Sequence, residues 1–309
     1  MDLELTLHWQ SEHARHHDGH FFAAVDVQQT DLPQALRDGA ASAVIEFNLR
    51  PAQIELTHTA AVPPQPTFAA GYQPIFMALT RGLEMAAQTE KLAALREPYA
   101  RPHADDPAFY ATARIVDHLD RDALLRWQTF HTGFISASDC VLDLMASHDS
   151  HLPVSPALQQ VIGLGMNSAE LDANPHLTRR LVHDLNAAPT LPFMDAQFDV
   201  VLCALSIEYL AQPVAVLREV RRCLKPGGNL VVSFSERWFP PKAVIPWPKM
   251  PPFVRVAWIM RHLQEAGFSD LQTTSRRGYP RPADDKYARQ TPFSDPLYAV
   301  IGQNNSTSP

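Results

Sequence analysis

FDVVLCALSIEYLAQPVAVLREVRRCLKPGGNLVVSF occupies residues 198–234. Phe198–Ala204 is an apolar run interrupted only by Asp199, too short for a helix and suited to a strand buried on both faces. Val214–Cys223 changes the period: Val216, Val220 and Leu224 recur at helical spacing. Gly227 and Gly228 interrupt the chain, and the run to Phe234 reads as another strand. Strand, helix and strand in succession make a parallel crossover, because parallel neighbours need a long connection. In such sheets ligands bind beyond the carboxyl ends of the strands.

The alternation continues in both directions. Upstream, Cys140–Leu144, Gln160–Leu164 and Arg179–Asp184 read as short strands. Downstream, Phe253–Gly267 reads as a helix ending at a glycine, followed by strands Phe268–Thr274 and Leu297–Gly302. The expectation is an α/β domain over residues 135–309, with a mainly parallel sheet covered on both faces.

Residues 1–66 read differently, as an accessory α+β region. Leu3, Leu5 and Leu7 alternate with polar residues, Phe21–Val27, Ala43–Leu49 and Ile54–Thr57 suggest further strands, and Leu32–Asp38 a helix. His13, His16 and His17 have spacing that could serve a metal on a helix, but no complementary ligand cluster accompanies them, and no metal site is assigned. Pro63, Pro64 and Pro66 mark a boundary. Residues 67–134 read as a helical cap or lid, with helices at Tyr72–Leu95, at Pro107–His118 and after Asp120, a residue suited to an N-cap.

Composition narrows the partners. Of 309 residues, 46% are hydrophobic and 19% charged, as in a globular protein. The formal charge of -7 argues against a nucleic-acid partner. Three cysteines without close spacing argue against a disulfide scaffold or a cysteine-rich zinc site. No apolar run reaches the roughly 18 residues of a membrane span. The acidic, polar start does not read as a signal peptide, so a cytoplasmic location is expected.

Four segments carry a resemblance: Val141–Leu144; Asp184 with Leu191–Asp195; Phe198–Leu210; and Leu217–Gly228 with the strand to Phe234. Together they resemble class I S-adenosylmethionine-dependent methyltransferases of the small-molecule type, and the resemblance implies that family's Rossmann-like sheet. It also implies S-adenosylmethionine as cofactor, held by Asp143 and by Met145, Ala146 and Ser147 after the first strand. Gly165 and Met166 at the second strand, Asp184 and Leu185 at the third, and Ala204 and Leu205 at the fourth complete that set. His148, His151, Tyr209 and Trp238 are the candidates facing a small-molecule substrate. Asp184 could equally cap its own loop, where Asn186 and Pro189 signal a turn.

Two departures from the family accompany this. The loop Met145–Pro153 contains no glycine, although the family uses glycine there to bring backbone close to the cofactor. Gly165 stands where the family places an acid for the ribose hydroxyls, leaving Asn167 or Glu170 as substitutes. The insertion 235–252 carries Trp238, Phe239, Trp247 and six prolines, and reads as a lid or as a packed surface loop, with Arg237 and Lys242 available to counter a substrate carboxylate. No catalytic dyad is evident, as befits a reaction in which alignment supplies most of the rate. Methyl transfer to a small molecule is the leading expectation. The alternative is a methyltransferase-like protein without turnover that binds a metabolite or a protein.

Overall fold

The computed structural model describes residues 2–10, 16–24, 42–50, 96–152, 158, 160–250, 252–277, 279–291 and 293–305. Three antiparallel strands open the chain, β1 (Asp2–Gln10), β2 (His16–Ala24) and β3 (Ser42–Arg50). The strand expected at Phe21–Val27 thus begins earlier. His16 and His17 lie on an extended strand, so the helical spacing that suggested a metal does not apply to them. The elements expected at Leu32–Asp38, Ile54–Thr57 and Tyr72–Leu95, and His13, lie outside the described residues.

The main body follows as α1 (Asp106–Tyr110), α2 (Arg121–Thr132), β4 (Cys140–Leu144), β5 (Gln160–Gly165), α3 (Ser168–Ala173), β6 (Arg179–Val182) and β7 (Phe198–Ala204). It continues with α4 (Pro213–Cys223), β8 (Leu224–Phe234), α5 (Pro252–Glu265), β9 (Ser269–Arg277) and β10 (Leu297–Gln303). The sheet order is β2-β1-β3-β9-β10-β8-β7-β4-β5-β6. Pairing from β8 through β7, β4 and β5 to β6 is parallel, while β10 is antiparallel to both β8 and β9. The seven strands from β9 to β6 thus form a mainly parallel, Rossmann-like sheet. β3 adds the N-terminal meander at the β9 edge through Ile45–Phe47.

Side chains of successive residues on the strands enter opposite cores, as the pleat requires. Leu142, Leu144, Ile162, Val201, Cys203 and Val232 pack with Val216, Val220, Ile259 and Leu263 of α4 and α5. Val141, Val161, Val200, Leu202 and Val231 pack on the other face with Ala123, Trp127 and Phe130 of α2. The two-sided burial is why these strands read as continuous apolar runs.

Caps set several boundaries. The Asp120 carboxylate accepts the Ala123 N–H at 2.9 Å and starts α2. α5 ends in a Schellman motif: Gly267 has φ +92°, its N–H bonds the Gln264 carbonyl, and the Phe268 N–H bonds that of Leu263. The helix expected over Pro107–His118 is instead a single turn capped by Asp105. Beyond Tyr110 there is no apolar face to bury: Ile115 and Val116 are exposed, and the Arg114 N–H donates at 2.7 Å to Glu170 instead of to a helical carbonyl. β6 ends at Val182, before the expected Asp184, and β8 begins at Leu224, three residues before the expected Gly227.

From β4 the chain steps outward to β5 and β6, then returns across β4 to form β7. Connections on the two sides of this reversal leave in opposite directions and cannot both cover the strand ends. A crevice therefore opens where β4 and β7 terminate.

Candidate functional site

A cavity of about 530 Å³ lies at that crevice, within the range of small-molecule sites. Its floor is the end of β4 with Asp143, Met145, Ala146 and Ser147, the end of β5 with Gly165 and Met166, and Ala204 and Leu205 after β7. Asp184 and Leu185 after β6 lie to one side. Tyr209, Trp238 and His151 also line it, so all but one of the site residues expected from the sequence meet in one cavity. The exception is His148, which is not among the lining residues; its Nε2 faces Asp117 at 3.7 Å.

Loop conformation explains how a glycine-free segment passes here. Met145 adopts φ 62° and His151 φ 52°, left-handed conformations that cost a side-chain-bearing residue roughly 1–2 kcal/mol. Leu205, after β7, has φ 52° as well. Hydrogen bonds hold the β4 loop in this shape. The Ala146 N–H bonds the Leu164 carbonyl at 2.9 Å, Asn174 donates to the Ser147 carbonyl and to Ser150 Oγ, and His131 Nδ1 lies 3.0 Å from the His151 carbonyl.

Gly165 is enforced by that same loop. A Cβ there would lie 2.2 Å from the Ala146 carbonyl oxygen, so no acid fits at this position. The two substitutes have other engagements. Asn167 caps α3 through the Glu170 N–H and donates to the Tyr110 carbonyl. Glu170 lines the cavity, but its oxygens accept from the Arg114 N–H and, at 2.7 Å, from the Ser147 hydroxyl.

Asp143 is the most exceptional group of the floor. It is buried, and its Oδ2 has no hydrogen-bond partner. Burial raises its carboxyl to about 7, against the opposing pull of the Ser150 hydroxyl and the His151 imidazole. Burial would also raise nearby Asp149, yet the His151 ring and N–H overcome this and bring it down to about 2. Asp184 accepts the Asn186 and Ala187 N–H groups through one oxygen, Oδ1, at 2.9 and 3.2 Å. It therefore caps its loop while lining the cavity.

The walls come from segments distant in sequence. Residues 116–120 form one side, residues 236–240 another, and Asp285, Lys286, Tyr287 and Asp295 a third. Two buried ionic clusters fix them. Asp106 receives Arg101 through two contacts of 2.7 Å, is paired with the fully buried Lys242, and accepts from Asn186. Asp295 receives Arg237 and Arg281, each at 3.0 Å, and its N–H donates to Asp120. Arg237 and Lys242, which the sequence offered as partners for a substrate carboxylate, are therefore already paired with acids of this chain.

Of the insertion's aromatics, Trp247 is core, packed against Phe234 and Trp258. Trp238 lies under the Arg255 guanidinium and Phe239 stacks on Tyr209, whose hydroxyl accepts the Phe239 N–H at 2.9 Å. Glu208, beside Tyr209, is turned away: it is not among the lining residues and is buried with both carboxylate oxygens unpartnered.

Residues absent from the sequence-based set include Tyr110, Arg114, His118, Asn186, Lys286 and Tyr287. Asn186 carried a turn signal, but 286–287 had no local signal: they reach the site only through the long connection between β9 and β10. Ten carboxylates and three cationic side chains line the cavity, a balance favouring a ligand with positive charge. Among the described residues no group of His, Cys, Asp or Glu is arranged to hold a metal ion, and no helix is long and apolar enough to cross a membrane.

Part of the chain is similar to known proteins. Residues 150–232 match the family model described as a methyltransferase domain. A ubiquinone/menaquinone biosynthesis C-methyltransferase of Paraburkholderia phymatum is 41% identical over 69 residues, covering 19% of this chain and 28% of that protein. The Laribacter hongkongensis protein of the same description is 43% identical over 58 residues, covering 18% and 24%. The chain thus spans about a quarter of the length of these relatives. Among solved structures, an S-adenosylmethionine-dependent methyltransferase from Archaeoglobus fulgidus aligns at TM-score 0.43 and 13% identity, over 60% of this chain and 94% of that one. One from Mesorhizobium loti aligns at TM-score 0.38 and 14% identity, over 59% and 99%. Over residues 150–232 the chain is similar to the methyltransferase-domain family.

Proposed function

We propose that this protein binds S-adenosylmethionine in the crevice beyond β4 and β7 and transfers its methyl group to a small molecule. The observation that carries the reading is Asp143: a buried carboxylate at the switch point, lining the cavity, with one oxygen left without a partner. Such an atom is costly unless a ligand completes it. S-adenosylmethionine brings a cationic amino group and a sulfonium, which suit a cavity lined by more carboxylates than cations.

The residues present fit that group. Asp143 and the left-handed loop from Met145 to Ser147 would hold its amino-acid portion. Gly165, Met166 and Glu170 would border the ribose, and Asp184 with Leu185 the base. Bound, the cofactor supplies an electrophilic methyl group. The chain's own residues bind and align it, and Trp238 and Phe239 of the insertion exclude water from the crevice. The described part of the 67–134 cap contributes Asp106, Tyr110, Arg114 and residues 116–120 to the cover.

The glycine-free loop favours a second reading, a binder without turnover, since three strained residues at one cavity also suit a rigid recognition site. Calorimetric titration with S-adenosylmethionine and with its demethylated product tests both. Saturable micromolar binding, weakened at least tenfold in Asp143→Asn and in Asp184→Ala, is the expected result. Absence of binding by folded protein at millimolar ligand would end the methyltransferase reading.

A further inference from the structure

His118 sits on the cavity wall just ahead of α2, on a stretch where the sequence offered only a helix. It is half-buried, and its ring meets the Phe239 ring edge-to-face at 5.3 Å, while Phe239 in turn stacks on Tyr209. Neither of its ring nitrogens has a hydrogen-bond partner among the described residues. His151, also on the lining, differs in facing the Asp149 carboxylate at 3.2 Å, and two histidines packed against the sheet are fully engaged. His131 bonds the His151 carbonyl and Ser233, and His262 bonds Tyr99 and the Trp258 carbonyl, so both are occupied structural groups.

We propose that His118 is the general base of the reaction, taking the proton from an aromatic acceptor whose nucleophilic oxygen or nitrogen still carries it. This rests on the methyltransferase reading above and extends it to the acceptor. The imidazole removes the O–H or N–H proton as the freed lone pair attacks the methyl carbon. The carbon–sulfur bond breaks, and its electron pair stays on sulfur, leaving a neutral thioether. The methylated acceptor and a protonated His118 remain, and the proton then passes to solvent. The aromatic side chains Phe239, Tyr209 and Trp238 beside the base fit a planar acceptor. The excess of carboxylates on the lining disfavours an anionic one.

A base must be uncharged to act, and the surroundings favour that. Burial lowers the His118 pKa first, and His148 and His151 of the β4 loop lower it further, against weaker opposition from Glu170 of α3 and Asp117. From the insertion only the uncharged Phe239 ring touches it. Both effects favour the uncharged imidazole, the form that can accept a proton.

The test uses the full chain with methyl-labelled S-adenosylmethionine and three probes: catechol, 2-phenylethylamine and the anionic 3,4-dihydroxybenzoate. The expected result is methylation of catechol or 2-phenylethylamine, a fall of about 100-fold in His118→Ala, and partial rescue by added imidazole. Cofactor affinity by calorimetry should stay within about twofold of the parent, because His118 holds no loop in place. Without cofactor, the accepted probe should shift the His118 ring resonance in NMR spectra. An unchanged rate in His118→Ala overturns the base. Bound cofactor with neither neutral catechol nor the amine methylated, or 3,4-dihydroxybenzoate as good as catechol, overturns the acceptor class. Absence of cofactor binding by calorimetry instead removes the methyltransferase reading and this proposal with it.

Discussion

Two sets of buried carboxylates surround the same cavity and differ in their partners. Asp106, Asp120 and Asp295 are saturated: Arg101, Lys242, Arg237, Arg281 and backbone N–H groups take their oxygens. Asp143 and Glu208 are equally buried but carry unpartnered oxygens, and burial raises them to about 7 and about 8. The saturated set ties distant segments into walls. In the bare set, Glu208 is turned away from the cavity, and Asp143 alone lines it. The difference teaches that a carboxylate at a crevice is informative through what it lacks.

The sharpest way to break the comparison is to unpair the saturated set. Lys242→Ala leaves Asp106 buried with one fewer cation, and a loss of about 3–5 kcal/mol in urea unfolding is expected. A loss under about 1 kcal/mol would mean that the clusters do not hold the walls.

Next comes the strand end that departs from the family. Gly165→Asp supplies the acid the family uses, yet its Cβ meets the Ala146 carbonyl. The expected outcome is a loss of about 2–3 kcal/mol together with weaker cofactor binding. Restored affinity without loss of stability would show that the loop yields easily.

The bare set should respond in the opposite direction. The neutral form of Asp143 is favoured by folding, so its contribution is full below pH 4 and is lost as pH rises through about 7. Asp143→Asn keeps the shape without the charge. Thermal unfolding at pH 8 should show a gain on the order of 2 kcal/mol that vanishes at pH 4, while cofactor affinity falls. A variant less stable at both pH values would place Asp143 with the saturated set.

The smallest effect belongs to the surface. Arg121 meets Asp284 with both side chains largely exposed, so Arg121→Ala should leave the Tm unchanged within error. A measurable drop would mean that exposed pairs also brace the wall.

Much of this was legible from residue order. Cys140–Leu144 and Phe198–Ala204 were readable to the residue because a strand buried on both faces is nearly continuously apolar, each here carrying a single aspartate. Asp120 was readable as a cap because the first N–H groups of a helix lack intrahelical acceptors and a short carboxylate side chain supplies one. Asp143, Met145, Gly165, Asp184 and Leu205, which the family resemblance offered, all line the crevice beyond the strand ends. His148 lies outside the lining, with its Nε2 facing Asp117, and no sequence periodicity orients a side chain within a loop.

By itself, the sequence determined the sheet, its strand ends and hence the location of the crevice, because burial on two faces and the crossover rule are written in local apolar patterns. Only the tertiary structure decided which charges are spent on the fold and which remain for a ligand. Lys242 and Arg237 looked available and are paired; Asp143, offered as a cofactor residue, keeps one oxygen without a partner, and His118, which carried no signal, has no hydrogen-bond partner among the described residues. The physical reason is that pairing depends on side chains brought together from residues more than a hundred positions apart, as Lys242 and Asp106 are, and no local pattern encodes such a distance.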